Sequence, residues 1–136
     1  MPDLENPVEE MSIEECWGHL EEEEFGRLAY RLVDEVHIVP VNFAVDGRTL
    51  LFRTAAGNKL LAAALASEVA FEIDQRDEDS AWSVVVRGHL RRLEEDEQHR
   101  LDKLPEHSWI PMRRDEAVDL VPEVVTGRKF LLRHAE

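Results

Sequence analysis

A single cysteine, Cys16, stands among 136 residues, which leaves no intramolecular disulfide and fits a reducing cytoplasm. No apolar run approaches the roughly 20 residues needed to span a bilayer. The opening residues, MPDLENPVEEM, lack the basic region and apolar core of a secretory signal. The six histidines (His19, His37, His89, His99, His107, His134) contain no close pair at metal-ligand spacing and no HExxH. GxSxG elbows and Walker loops are missing too, which removes support for serine hydrolase and nucleoside triphosphatase readings. Basic residues are scarce: 16 Lys and Arg face 30 Asp and Glu, for a net charge of −14. The first 24 residues hold ten of the acids and no Lys or Arg, so most of the excess is concentrated there as solvated surface. That sign argues against nucleic acid and anionic membranes, whose phosphates need clustered cations. With no basic neighbour in sequence to activate it, Cys16 reads as a small buried hydrophobe beside Trp17.

What is present divides into a flexible acidic arm, residues 1–11, and one domain over 12–136. Ser12 and Glu15 have capping-box spacing, and Ile13, Cys16, Trp17 and Leu20 form a helical stripe ending near Glu23. From Phe25 the period becomes two. Strands are expected over 25–32, 36–45, 48–54, 68–74 and 82–93, with Asp46-Gly47 as a hairpin turn. Pro40 lacks an N–H for a ladder, which predicts an unpaired edge near the middle of its strand and leaves backbone groups of Val39 and Val41 free for a ligand. Gly88 marks a bulge or barrel corner in the long strand. Residues 94–104 read as a helix stopped by Pro105. Two last strands, 117–121 and 129–132, are expected around a Thr126-Gly127 turn. Six or seven strands with three short helices fit a small, mostly antiparallel barrel of the α+β class.

The chemistry concentrates between residues 50 and 74. A strand ends at Arg53 and Thr54, the chain breaks at Ala55-Ala56-Gly57, and Asn58 caps an Ala- and Leu-rich helix that begins at Lys59. Free N–H groups, the positive end of a helix dipole, two cations and a hydroxyl together make a phosphate seat. The alternative is a solvated strand end whose Arg and Lys keep the turn soluble. Glu72 and Asp74, two apart on one strand face, read as solvated surface.

In order along the chain, Cys16-Trp17, Gly26-Arg27-Leu28-Ala29, Val39-Pro40-Val41-Asn42, Phe52-Arg53-Thr54, Gly57-Asn58-Lys59, residues 69–74, residues 82–88 and Thr126-Gly127-Arg128 resemble the pyridoxamine 5′-phosphate oxidase-like, FMN-binding split-barrel family. The likeness spans about 12–130. It implies a mainly β (α+β) fold, a six-stranded antiparallel split β-barrel with peripheral helices. It further implies a cytoplasmic homodimer with FMN at the subunit interface. Arg53, Thr54, Asn58 and Lys59 would take the phosphate, and Val39, Pro40, Val41 and Asn42 would run beside the ring. Ser83 would hydrogen-bond near the ring, and Trp82 would cap the site or fill the core. Trp109 and Arg128 would reach the partner's flavin, or be a packed aromatic and a surface cation. Relatives that oxidise pyridoxamine phosphate carry two basic residues at the turn and a longer C-terminal part. Here Lys59 is followed by Leu60, so flavin binding is implied and that particular oxidation is in doubt.

Two functional classes follow. One is an oxidoreductase acting on a small substrate, its redox chemistry supplied by the flavin. The other is a non-catalytic flavin-binding protein serving as sensor, store or carrier. Deazaflavin F420 and haem are the alternative cofactors.

Overall fold

A computed structural model of the chain describes residues 7–55, 64–65, 67–104 and 115–132. Its strands are β1 (Val8–Glu10), β2 (Phe25–Leu32), β3 (Glu35–Asp46), β4 (Thr49–Ala55), β5 (Glu68–Arg76), β6 (Ser80–Arg92) and β7 (Asp115–Leu131). Helix α1 spans Ile13–Glu22, and a 3-10 helix spans Glu95–Lys103. All described strand pairs are antiparallel, in the order β1-β7-β4-β3-β2-β5-β6. Because β6 pairs back onto β7, six strands close into a ring, the expected split barrel. Closure removes most of the exposed edges an open sheet would offer.

Alternation decides which side chains fill the ring. Phe43, Phe71, Leu50, Val84, Val86 and Leu120 are wholly buried inside it. Phe71 is the hub, with ring centroids 4.8 Å from Phe43 and 5.5 Å from Phe52. One end is closed by α1, which turns in Cys16, Trp17 and Leu20. Its N-cap is the expected one: the Ser12 hydroxyl accepts from the Glu15 N–H at 3.1 Å. The Glu15 carboxylate pairs with Lys129. Cys16 is fully buried, and burial together with the Glu15 charge pushes its thiol up, which keeps it unreactive. Among the described residues no helix is long and apolar enough to cross a membrane.

Two expectations are corrected. The arm is not loose throughout: Val8–Glu10 pair with Arg128–Phe130, and Met11 is buried in the core. An edge on β7 was open, and three residues suffice to fill it. Nor does Thr126-Gly127 turn the chain. β7 runs unbroken for 17 residues, with Gly127 opposite Val84. Gly127 is there for close approach, since a Cβ would lie 2.6 Å from Cys16 Sγ. By contrast Gly47, at φ +64°, does make the β3–β4 turn, and the register shift at Arg87/Gly88 is the expected bulge. The helix expected from Lys59 is described only at Ala64 and Leu65, both packed on the core.

The β2–β3 turn carries Val33 at φ +57° with 81 % of it exposed. A β-branched residue in the left-handed region costs roughly 1–2 kcal/mol, whereas Asn tolerates it. Val33→Asn should therefore raise stability by about 1 kcal/mol, read as a higher urea midpoint. An unchanged or lower midpoint would count against backbone strain at this turn.

Candidate functional site

The ring is split where two ladders stop short. β3 pairs with β4 only over Phe43–Asp46, yet it pairs with β2 along Glu35–Asn42. Over residues 35–42 the other edge of β3 therefore has no strand partner among the described residues. Pro40 lies on this segment, opposite Arg27, where an unpaired middle was expected.

Peptide directions follow from one bond. The Phe43 N–H donates to the Glu24 carbonyl at 3.0 Å, on the β2 side. Alternation then turns the peptide groups of Val39 and Val41 toward β2, and those of Ile38 and Pro40 toward the open edge. The backbone groups of Ile38 and Pro40, rather than the expected Val39 and Val41, are thus the ones turned to the open edge. Pro40 occupies a position where no ladder N–H is required. The side chains of Val39 and Val41 pack against the core, and the Asn42 amide donates to the Glu24 carbonyl at 3.3 Å.

Behind this edge lies a polar group that sequence reasoning missed. Tyr30, 5 % exposed, has a buried hydroxyl with no hydrogen-bond partner, and burial pushes its pKa up. Its ring stacks on His37 at 5.5 Å, and His37 Nε2 lies 3.2 Å from a Glu35 carboxylate oxygen. A buried unpaired hydroxyl calls for an explanation, and a bound polar molecule is one.

At the end of β4, alternation sends Arg53 outward with Leu51. An Arg53 guanidinium N–H donates to the Leu101 carbonyl at 3.4 Å, tying β4 to the 3-10 helix. Thr54 is described in its backbone, opposite Glu116. Asn58, Lys59 and Trp109 lie outside the described residues.

The remaining site candidates stand elsewhere. Ser83 faces Asp74 on one side and Arg128 on the other, on the outside of β5, β6 and β7. Trp82 is half-buried and stacks on His19 of α1 at 3.8 Å, the core role. β6 is three strands from β3 through β2 and β5, about 14 Å at ordinary strand spacing. One chain therefore does not bring Ser83 and Trp82 to the open edge of β3; Arg128 stands on the neighbouring β7, opposite Ser83.

Beside Pro40 on the outer face, Arg27 bridges two carboxylates, with Nη1 2.9 Å from both Glu72 and Asp74. The pair read as solvated surface is held by a cation from a strand 45 residues away. Burial, then the Asp74 carboxyl, push Glu72 up to about 7, overcoming the opposing pull of Arg27. The folded chain then binds more protons than the unfolded one between the ordinary 4.5 and about 7, so this group's contribution to stability falls as pH rises through that window. Glu72→Gln should gain more over the wild type at pH 8 than at pH 5 in urea midpoint. Equal gains at both pH values would show that Glu72 does not titrate there.

Comparison with known proteins agrees with this architecture. A family model described as pyridoxamine 5′-phosphate oxidase matches residues 12–129. An FAD binding protein from Mycobacterium smegmatis is 36 % identical, with TM-score 0.77, covering 90 % of this chain and 98 % of that one. An uncharacterised protein of Mycobacterium tuberculosis H37Rv is 32 % identical over 138 residues, 96 % of this chain and 90 % of its own. A Mycobacterium smegmatis protein described as binding FAD and haem shares the fold alone, at 15 % identity and TM-score 0.76, covering 93 % of this chain and 75 % of that one. The split ring and this match lead to one conclusion: the chain belongs to the pyridoxamine 5′-phosphate oxidase family.

Proposed function

We propose that this protein is a flavoprotein that holds FMN along the open edge of β3 and acts as an oxidoreductase on a small substrate. The observation that carries the reading is the early end of the β3–β4 ladder, which leaves peptide groups of Ile38 and Pro40 directed into the split. A flat ring with polar edges suits such a strip, because backbone donors and acceptors fix its orientation without a charged side chain. The orphaned Tyr30 hydroxyl supplies a further polar contact near that edge. Thr54, Asn58 and Lys59 hold the phosphate in this reading, as the helix-start chemistry implies. Arg53 keeps its place under the 3-10 helix and steadies the strand that carries Thr54. The flavin, once bound, supplies hydride or electron transfer, and the chain supplies position and exclusion of water.

The protein works as a cytoplasmic homodimer in this reading. Ser83 and Trp82 lie on β6, across the ring from β3, and Arg128 on β7 beside it, so in this reading a second copy brings them to one cofactor. Val36 and Ile38, 65 % and 67 % exposed, offer apolar outer surface for that contact. The Mycobacterium smegmatis relative named as an FAD binding protein supports a flavin, and makes the dinucleotide the rival to FMN. Denaturing freshly purified protein and weighing the released chromophore tests both points. FMN is expected; a chain that takes up no flavin during expression or on reconstitution would end the reading. Reducing the bound flavin and following its reoxidation by nitroaromatics or other small acceptors separates an enzyme from a storage or sensor protein.

A further inference from the structure

Five strands of the ring share one broad outer face. Cross-strand partners point the same way, and the registers set Ile38, Ala29, Ala70, Arg87 and Val124 side by side on β3, β2, β5, β6 and β7. A second row holds Val36 beside Arg31, then Glu68, His89 and Val121. Leu28, Phe71 and Val86, of the opposite parity, are buried inside, so both rows point outward. Of the eight large hydrophobic residues left exposed among those described, Val36, Ile38, Val121 and Val124 all lie here. Apolar side chains gathered in this way mark a surface that meets a partner.

The charges say which partner. Arg31, Glu68 and Arg87 line one depression on this face, beside Ala29 and Ala70. Continued past Ala29, the β2–β5 ladder would set Arg31 opposite Glu68, but the strands part there and pair only over Arg27–Ala29 with Ala70–Glu72. None of the three has an ion pair or a side-chain hydrogen bond among the described residues. His89, the ladder partner of Glu68, is taken by Glu123. Elsewhere in this chain of 30 acids, Arg27, Arg48, Arg91 and Arg100 each meet a carboxylate within 3.2 Å. Unpaired charges of both signs among apolar side chains suit a two-fold contact. There the same patch meets itself, so each cation finds the other copy's acid and each acid the other copy's cations. A purely acidic or purely basic partner would satisfy one sign and strand the other.

We propose that this outer face is where two copies of the chain meet, with Arg31 and Arg87 of each copy closing on Glu68 of the other. Two guanidinium groups on one carboxylate is an arrangement the chain already uses, at Asp119 between Arg91 and Arg100. Such pairs fix the register of the two copies and reject apolar surfaces that lack the matching charges. The assignment rests on the two-copy reading above and gives it an orientation: the open edge of β3 borders this face, so the second copy meets the first alongside the split.

Sedimentation equilibrium of the full chain, flavin-free and flavin-loaded, tests this. The wild type should be a dimer in both states. Arg31→Glu/Arg87→Glu sets like charges against Glu68 at both contacts and should associate about 100-fold more weakly, as should Glu68→Arg. An equimolar mixture of these two variants should recover the wild-type affinity, because each copy then offers the charges the other needs. Circular dichroism checks that both fold. Should a reversal fail to fold, Arg31→Gln/Arg87→Gln takes its place, with association expected to weaken about tenfold. Undiminished affinity in the variants overturns the proposal, and so does a mixture of the two reversals that stays monomeric. A wild type that is monomeric at every concentration overturns the two-copy reading along with it. A dimer that follows these charges yet takes up no flavin supports the face and ends only the cofactor reading.

Discussion

Arg100→Met should lower the unfolding free energy by about 2–4 kcal/mol, a large share of what a domain of this size has to lose. Its guanidinium, 17 % exposed, contacts four groups from four elements: Asp46, Glu97 at 2.9 Å, Thr49 Oγ1 at 3.1 Å and Asp119 at 3.2 Å. Asp119 is 1 % exposed, and its second oxygen has no hydrogen-bond partner. Without Arg100 the buried carboxylate keeps only Arg91, at 3.1 Å, and an incompletely paired buried charge is what makes such a deletion expensive. Methionine restores part of the packing, so the loss reports mainly charge. A second substitution, Asp119→Asn, should return part of the lost stability, and the pair should be non-additive in a double-mutant cycle. A loss below about 1 kcal/mol would place the network among ordinary surface pairs.

The same network sets the acid limit. Contacts with Arg91 and the Glu94 backbone hold Glu97 down at about 2, and Lys103 and Arg100 hold Asp46 below its usual range. A lowered folded pKa contributes stability above the ordinary carboxylate range and loses it as pH falls toward the folded value. For Glu97 that window runs from 4.5 down to about 2. Arg100→Met should therefore unfold at a higher pH than the wild type in an acid titration followed by circular dichroism.

Lys59→Ala should weaken retention of a phosphate-bearing flavin by about 10–100-fold, the worth of one charge-assisted hydrogen bond of about 1.5–3 kcal/mol. Riboflavin, which has no phosphate, is the control. Its affinity for wild type and variant should be equal, because the substitution leaves the open edge of β3 untouched. Equal losses for both flavins would assign Lys59 to stability or ring binding instead. Unchanged FMN affinity would remove it from the phosphate seat altogether, and would revive the reading of Arg53 and Lys59 as cations that keep a turn soluble. Thr54→Val should act in the same direction with a smaller effect, as expected for a neutral donor.

Arg53 shows why such clusters are hard to read along a chain. In sequence it stands between Phe52 and Thr54, one step from a hydroxyl. On the folded strand its guanidinium also reaches the Leu101 carbonyl, a group 48 residues further along the chain that no local motif announces. Glu72 and Asp74 failed in the opposite direction. The cation near them in sequence is Arg76, yet the one that bridges them comes from β2, 45 residues away from Glu72 along the chain and brought alongside by the β2–β5 ladder. Gly127 looked like a turn because turns and tight contacts both select glycine. Only the packing of Met11 and Cys16 against it shows which applied.

The sequence by itself determined the antiparallel strands, the helix that Ser12 caps, the Asp46-Gly47 turn, the bulge at Gly88 and the family, because each is written in local periodicity or in an ordered series of short motifs. Pro40 even announced an unpaired edge, since a missing N–H is a covalent fact. Which peptide groups face that edge, which cations remain without carboxylates, and where the two ladders stop were decided only in three dimensions. Those properties belong to strand pairs, and a pair is formed by residues that the chain brings together only after it has closed on itself.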